Sequence, residues 1–419
     1  MTSTGSAPVA VVVDGYSAGN FYPAAFTQSG TRLVHVQSTP EFITSMQPPN
    51  LADYEANIVG SDMEELAARL RPYSPVCVVA GQDGAVPMAD RLSELLAIPT
   101  NGSLLSRARR DKYEMIETLR KAGVRCAQQF KSADPADIAA WAERSATYPV
   151  VVKPLSSAAS DGVRICNNAE EVVSAAEAIL STQDIFGASN SEILVQSYLK
   201  GTEYIVDTVS CDGQRYTCGV WQYEKTLLAS GKNIYNRDIL VDPDTALVAE
   251  LTAYIDEVLA ALDVRWGPAH AEVIVTPEGP ALVEIGTRLN GNIHAGFHDV
   301  CLGHNQAALT AQAFTQPDAF QAEYGNRIYR KLQPAVVYNA PTTLEGVVES
   351  VDESVVEEIR GLESVHTVAA KLKPGARIRP TVDLLTSPLR AHLTATSEAR
   401  LTADYERIRE LKDAVYRLA

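Results

Sequence analysis

The 419-residue chain has six cysteines and not one Cys-x-x-Cys pair. That scatter argues against a zinc or disulfide framework and for reduced, mostly buried thiols in a cytoplasmic protein. No apolar run approaches the length of a membrane span, so no membrane partner is expected. The opening stretch, Met1-Thr-Ser-Thr-Gly-Ser-Ala-Pro8, has neither a basic nor an apolar segment, and no secretion signal is read there. Positive charge is scarce. The 36 Lys and Arg stand against 52 Asp and Glu, a formal net charge of −16, which disfavours nucleic acid as the main partner. Aromatic–basic stripes that would stack and track a nucleic acid are missing too. So are a Walker loop, a complete Gly-x-Gly-x-x-Gly and a credible Ser-His-Asp arrangement. What remains is an ordinary globular composition, long enough for two or three domains.

Two stretches near the N-terminus repeat one pattern. Pro8-Val-Ala-Val-Val-Val13 reads as a buried strand before the small-residue loop Asp14-Gly-Tyr-Ser-Ala-Gly-Asn20. Val76-Cys-Val-Val-Ala80 leads into Gly81-Gln-Asp-Gly84, with helical spacing through Met88, Leu92 and Leu95. Strand, glycine loop and helix, repeated, predict a parallel α/β domain over residues 1–105, with the first loop a structural turn. Residues 106–123 read as a basic helix closed by Gly123. Residues 146–205 read as a small α/β lid with a helix around 169–181, and 246–262 as an amphipathic helix. Beyond residue 330, strand-like pieces, a Lys373-Pro-Gly375 turn and a final helix from about 402 suggest a smaller α+β domain over 331–419.

The strongest chemical signal is His270-Ala-Glu272-Val-Ile-Val-Thr-Pro277-Glu278-Gly279-Pro280-Ala-Leu-Val-Glu284-Ile-Gly-Thr-Arg288. Two apolar runs flank a Pro-Glu-Gly-Pro turn and read as paired antiparallel strands. Glu272 and Glu284 lie symmetrically about Glu278, which puts them opposite each other with Cβ atoms roughly 5 Å apart. Facing carboxylates repel unless a cation lies between them, and oxygen-only ligands suit Mg²⁺, which keeps substrate phosphates as further ligands. Arg288 adds a positive fork beside them. Upstream, Lys153 ends a strand-like run before Leu155-Ser-Ser-Ala-Ala-Ser-Asp-Gly162, a loop small enough to lay N–H groups against phosphate oxygens. Further on, the apolar strand ending at Gln196 meets an extended segment through Tyr198 and Leu199 to Glu203, suited to an adenine edge and a ribose. His294 and His298, with Asp299, mimic a metal cluster at helical spacing, but a polar pocket lining is the preferred reading. His270 is read as a strand residue beside the site.

Taken together, the order of these residues resembles that of ATP-grasp proteins across residues 106–310. The resemblance implies α/β and α+β architecture: an N-terminal parallel α/β domain, a central ATP-binding unit of two subdomains over 106–330, and a small C-terminal domain. It implies ATP and Mg²⁺ (or Mn²⁺) as cofactors. Lys112 and Lys153 would meet the phosphates, and Ser157, Ser160 and Gly162 would belong to the covering loop. Gln196, Tyr198 and Leu199 would edge the adenine, Glu203 would take the ribose, and Glu272 and Glu284 the metal. Gly286 departs from the superfamily's usual Asn, so the two glutamates would be the protein's metal ligands.

L-amino acid ligases of the bacilysin dipeptide-synthase type also tolerate a small residue there. The chain is similar to them in His270-x-Glu272, in Trp221-Gln-Tyr-Glu-Lys225-Thr and in the Lys373–Pro388 tail. That likeness implies a carboxylate–amine ligase working through an acyl phosphate. Its substrates would be a small acid and an amine, amino acids foremost, with a homodimer left open. Lys153, Arg288 and Arg237 would serve the chemistry. Lys232 or Arg237 would replace the family's phosphate-contacting His. Trp221, Lys232, Arg288, Gly291 and Asn292 would line the substrates, Asn292 standing where the family carries a bulky Trp and so leaving a roomier or more polar pocket.

Overall fold

The computed structural model describes residues 7–419 apart from 146, 156–161, 184–188, 228–232 and 385. The first unit is the expected parallel sheet. Strands β1 (Val9–Val13), β2 (Arg32–Gln37), β3 (Ala56–Val59) and β4 (Pro75–Ala80) lie in the order β3-β2-β1-β4. Every residue of β1 is buried because both faces are covered, which is why it reads as an unbroken valine run. One face packs on helices α2 (Met63–Leu70) and α3 (Val86–Leu96). The other packs on α1 (Tyr22–Gln28) and on Leu289, Ile293 and Ala311 from far along the chain. Through that second face the first unit is cemented to the segment that follows the acidic hairpin.

The two glycine loops above this sheet touch. A Cβ at Gly81 would sit 2.3 Å from the Asp14 carbonyl oxygen, and one at Gly19 would sit 2.9 Å from the Gly81 Cα. Close backbone approach, rather than ligand contact, accounts for those glycines.

The basic helix predicted over 106–123 is shorter than expected: α4 spans Lys112–Lys121. Asp111 caps it, accepting from the Tyr113 and Glu114 N–H groups, which starts the helix at Lys112. Arg109, ahead of the cap, is 1% exposed and pairs with Asp90 at 2.9 Å while donating to the Leu262 carbonyl.

A small antiparallel sheet follows, in the order β5-β8-β6-β7 (Gln129–Ser132, Ile193–Ser197, Val150–Pro154, Arg164–Cys166). Helices α5 (Pro135–Ser145) and α6 (Ala169–Leu180) pack with it around Val150, Val152, Ile179 and Ile193. This sheet begins with β5, upstream of the boundary expected at 146.

The large sheet contains β9 (Thr202–Cys211), β10 (Gln214–Leu227), β11 (Asn233–Leu240), β12 (Gly267–Thr276) and β13 (Gly279–Gly286). Helix α7 (Ala246–Ala261) backs it, and α8 (Ala295–Leu302), α9 (Gln306–Thr315) and α10 (Pro317–Tyr324) follow the hairpin. The two-residue β14 (Arg327–Ile328) pairs with β10. The sheet then continues through residue 330. With β15 (Ala335–Ala340), β17 (Val365–Ala370) and β19 (Leu389–Thr394), its order is β13-β12-β9-β10-β11-β15-β19-β17. The expected division at 330 therefore coincides with no break in the sheet. Strands β16 (Gly346–Val351), β18 (Arg377–Ile378) and β20 (Tyr416–Leu418) make a separate three-stranded sheet, packed with α11 (Glu353–Arg360) and α12 (Glu398–Leu411). Among the described residues, no helix is long and apolar enough to cross a membrane.

Candidate active site

Glu272 and Glu284 are directly opposed across β12 and β13. Symmetry about Glu278 is not the cause. The loop is Pro277-Glu278, so Thr276 pairs with Gly279 and Val273 with Leu282; continued unchanged, that register would set Glu272 against Val283. A bulge at Val283 inserts one residue and brings Glu284 into line. Leu282 stays in the core while Val283 and Glu284 both face the cleft between the two sheets.

That cleft gathers side chains from widely separated parts of the chain. Lys153 and Gln196 come from the small sheet, Tyr198 and Leu199 from the segment joining the sheets, and Lys112 from the first turn of α4. Glu203, Glu272 and Glu284 come from the large sheet, and apolar Val151 and Ile165 of the small sheet and Ile274 of the large one complete the lining. Of the residues predicted for nucleotide and metal, these eight polar and linker positions meet in one cavity. Ser157, Ser160 and Lys232 lie outside the described residues. Gly162 has φ +69°, and a Cβ there would sit 2.7 Å from the Pro154 ring, so the chain leaving the small-residue loop crosses tightly over the end of β6.

The charges in the cleft answer one another. The Lys112 ammonium donates to a Glu284 carboxylate oxygen. Burial alone would raise the Glu284 pKa, but Lys112, then Lys153 and Arg288, hold it down at about 2. Burial works to lower Lys112, and Glu284 outweighs it, leaving the lysine above its usual value. Lys153, 5% exposed, has no such partner among the described residues; burial first, then the Lys112 charge, push it down to about 8. The Tyr223 hydroxyl donates to Glu272 at 3.2 Å. Glu203 takes the Lys225 ammonium, and burial raises its pKa against that lysine's pull.

Two paired carboxylates form a hard-oxygen donor set that fits a divalent cation. Among the described residues, no three His, Cys, Asp or Glu side chains are arranged as a complete metal centre. A cation held here would draw its other ligands from phosphate and water, the habit of Mg²⁺.

Behind the carboxylates, His270 meets Asp207 at 2.7 Å, and Asn290 donates to the other Asp207 oxygen at 2.8 Å. Burial lowers His270, yet Asp207 more than compensates and raises it to about 9. Arg288 is spoken for: its Nε and Nη2 both lie 3.0 Å from Asp83 of the N-terminal unit, and its Nη1 donates to the Leu289 carbonyl. Gly286 makes that pairing possible. A Cβ there would fall 2.6 Å from the Asp83 carboxylate, so a larger residue would make that carboxylate shift. The missing side chain at 286 thus has a local physical reason.

Other predicted substrate residues lie apart from the cleft lining. Trp221 is 2% exposed and stacks on His298, their rings 5.4 Å apart. Arg237 is engaged with Glu224 at 2.7 Å and lies over the Tyr405 ring at 4.5 Å. Gly291 is exposed with open space around it, and Asn292 is half-buried, its N–H bonded to the Asn290 side chain at 2.8 Å. His298 is buried and stacks on Trp221, and His294 caps α8 by accepting from the Phe297 N–H. Sequence reasoning gave Tyr223, Lys225 and Asp83 no role of their own, although the first two stand in the segment shared with the amino acid ligases. For the first two a signal existed: Trp221, Tyr223 and Lys225 alternate along one strand and so share a face. Nothing local marks Asp83.

The chain is similar to proteins already known. The family model described as an ATP-grasp domain matches residues 146–295. Dapdiamide A synthase of Enterobacter agglomerans is 33% identical over 98% of this chain and 97% of its own. Among solved structures, L-amino acid ligase from Bacillus licheniformis superposes with a TM-score of 0.76 at 18% identity, covering 99% of this chain and 100% of that one. The ADP complex of N5-carboxyaminoimidazole ribonucleotide synthetase gives 0.70 at 16% identity, covering 98% of each chain.

Proposed function

Since this chain belongs to the ATP-grasp ligases, we propose that it joins a carboxylate to an amine through an acyl phosphate, with an amino acid among its substrates and ATP consumed to ADP and phosphate. The observation that carries this reading is the opposed Glu272–Glu284 pair facing Lys112 and Lys153 across a single cleft. The relatives add weight: one is named for making dapdiamide A, another as an amino acid ligase, and further ATP-grasp structures hold ADP or Mg-ADP.

In the first step a carboxylate oxygen attacks the γ-phosphorus, the bond to the bridging oxygen breaks, and ADP leaves. An amine nitrogen then attacks the acyl carbon, the carbon–oxygen bond to phosphate breaks, and the nitrogen gives up a proton. No enzyme nucleophile is needed, so catalysis rests on positioning and charge neutralisation. Lys153 supplies a desolvated positive charge to the phosphates, stronger in effect for being buried. Lys112 neutralises Glu284 until a dication does so, which keeps the acid ionised and ready. Arg288, aimed by Asp83, presents a fixed cation at the edge of the hairpin. Mg²⁺ on Glu272 and Glu284, with Mn²⁺ an alternative, would offset the charge of the phosphoryl group in transfer. The ribose acceptor is Glu203, and Gln196, Tyr198 and Leu199 border the base.

A screen of acids and amines for ADP release, with product masses read out, tests this. ADP release that requires both an acid and an amine, with a product mass equal to their sum less water, is the expected result. Nucleotide binding without turnover for any pair would overturn it in favour of a sensor. Turnover only with acids and amines that are not amino acids would redirect it to a small-metabolite amide synthase.

A further inference from the structure

Register carries one face of the large sheet from the hairpin to the C-terminal strands. Glu272 on β12 lies beside Ile205 on β9 and Ile205 beside Trp221 on β10; two residues along, Tyr223 lies beside Asp238 on β11, and Asp238 beside Val337 on β15. Val337 in turn lies beside His392 on β19, two residues along from Arg390, whose partner is Asn339. Directly opposed residues point to the same side, so Asp238, Asn339 and Arg390 share the face that Glu272 occupies further along the sheet.

Their bonding is incomplete. Asp238 is 2% exposed, yet its Oδ1 has no hydrogen-bond partner among the described residues; nor has Nδ2 of Asn339, which is fully buried. Arg390 donates through Nε to Asn339 at 2.8 Å, and its terminal nitrogens meet no described carboxylate. Lys371, which follows β17, feels the Arg390 charge and also has no acid partner among the described residues. Asp238 and Arg390 influence each other without an ion pair. Their strands are two apart in the sheet, about 10 Å at the backbone.

We propose that this face is the recognition site for the zwitterion of an α-amino acid serving as the amine donor, its carboxylate held by Arg390 and Lys371 and its ammonium by Asp238. The inference rests on the ligase reading above and names the second substrate class of that site. Two neighbouring cations without an acid form an anion site in need of its anion, and an orphaned buried carboxylate oxygen is a hydrogen-bond acceptor in need of a donor. An α-amino acid supplies both from adjacent atoms. Burial pushes the Asp238 carboxyl up to about 7 against the pull of Arg390, while Lys371, exposed just past the end of β17, feels the Arg390 charge. A bound ammonium would restore the usual ionisation of the Asp238 carboxyl. Asp238 stands next to Tyr223, which itself touches Glu272, so the amine end of such a substrate faces the phosphate end of the cleft.

The test compares the full chain with Asp238→Asn, Arg390→Met and Lys371→Met, at saturating ATP and acid. Each is supplied either with an amino acid or with hydroxylamine, a small uncharged amine that traps an acyl phosphate as its hydroxamate. The ratio of amide to hydroxamate formed should fall about 10- to 100-fold in Asp238→Asn and Arg390→Met, and less in Lys371→Met. The parent should also prefer a free amino acid to its carboxamide, and Arg390→Met should lose that preference. An unchanged ratio in Asp238→Asn and Arg390→Met, or a parent that accepts carboxamide and free acid equally, overturns the proposal. A parent that forms no hydroxamate from any acid tells instead against the ligase reading, so the two failures are distinguishable.

Discussion

One face of the large sheet has two ends with opposite electrostatic character. At the hairpin end the charges are met: Lys112 on Glu284, the Tyr223 hydroxyl on Glu272, His270 and Asn290 on Asp207. At the C-terminal end they are not. Among the described residues, Asp238 Oδ1, Asn339 Nδ2 and His392 Nε2 are buried without hydrogen-bond partners, and Arg390 and Lys371 meet no acid. Each unmet buried group costs about 1–3 kcal/mol, which a fitting ligand removes. The contrast teaches what each end is prepared for. The hairpin end can trade one cation for another without ever exposing a bare carboxylate. The far end waits for a molecule bearing both signs of charge.

The largest expected effect breaks the matched end. Replacing Glu272 and Glu284 together by Ala should cut ADP formation by on the order of 10³-fold or more, and the loss should not be recovered by raising Mg²⁺. Activity within tenfold of the parent would mean the pair is not a metal site. Next, Lys153→Met should lower kcat/KM for ATP about 100-fold while leaving the unfolding midpoint unchanged or raised, since a buried charge without an acid partner costs stability. Gly286→Asn tests the link between the N-terminal unit and the hairpin. Its side chain would enter the space of the Asp83 carboxylate and should lower stability by about 1–3 kcal/mol in urea unfolding, with Arg288 released.

The smallest effect sharpens the unmatched end. Burial first, with little relief from Asp207, lowers His298 to about 4. Burial, then His294 and Arg390, lowers His392 to about 2, with His298 and His366 adding to the repulsion. Both lie below the unfolded value near 6.5. The unfolded chain therefore takes up protons first as pH falls. Stability is fully present above about pH 6.5 and declines below it, by up to about 1.4 kcal/mol per pH unit for each histidine. Urea unfolding at pH 7 and pH 5.5 should show a drop that is smaller by about 1–2 kcal/mol in His392→Gln. An identical drop would show that this histidine is solvated.

Legibility followed chain distance. The acidic hairpin was readable because two apolar runs and a turn are contiguous, although the bulge at Val283 that aligns Glu284 leaves no mark in residue type. Lys153 and the Gln196-to-Glu203 segment were readable because strand ends and linkers have local signatures. Arg237 was expected at the phosphates, yet Glu224 and the Tyr405 ring engage it, and Tyr405 comes from α12, which no local pattern connects to β11. The start of α4 was misplaced because basic residues read as helix formers, whereas the Asp111 cap decides where the hydrogen-bond ladder begins.

By itself the sequence determined the elements whose cause is local: the buried valine strand, the glycine loops, the capped helices and the spacing of two acids around a turn. Tertiary structure alone decided which charges meet. Asp83 reaches Arg288 because the first sheet packs its second face on Leu289 and Ile293, and Asp238 shares a face with Arg390 because β15 lies between their strands. Neighbours along a hairpin are set by turn length and side-chain alternation. Neighbours across strands far apart in the chain are set by which apolar faces must be buried together, and burial is indifferent to the polar residues it carries along.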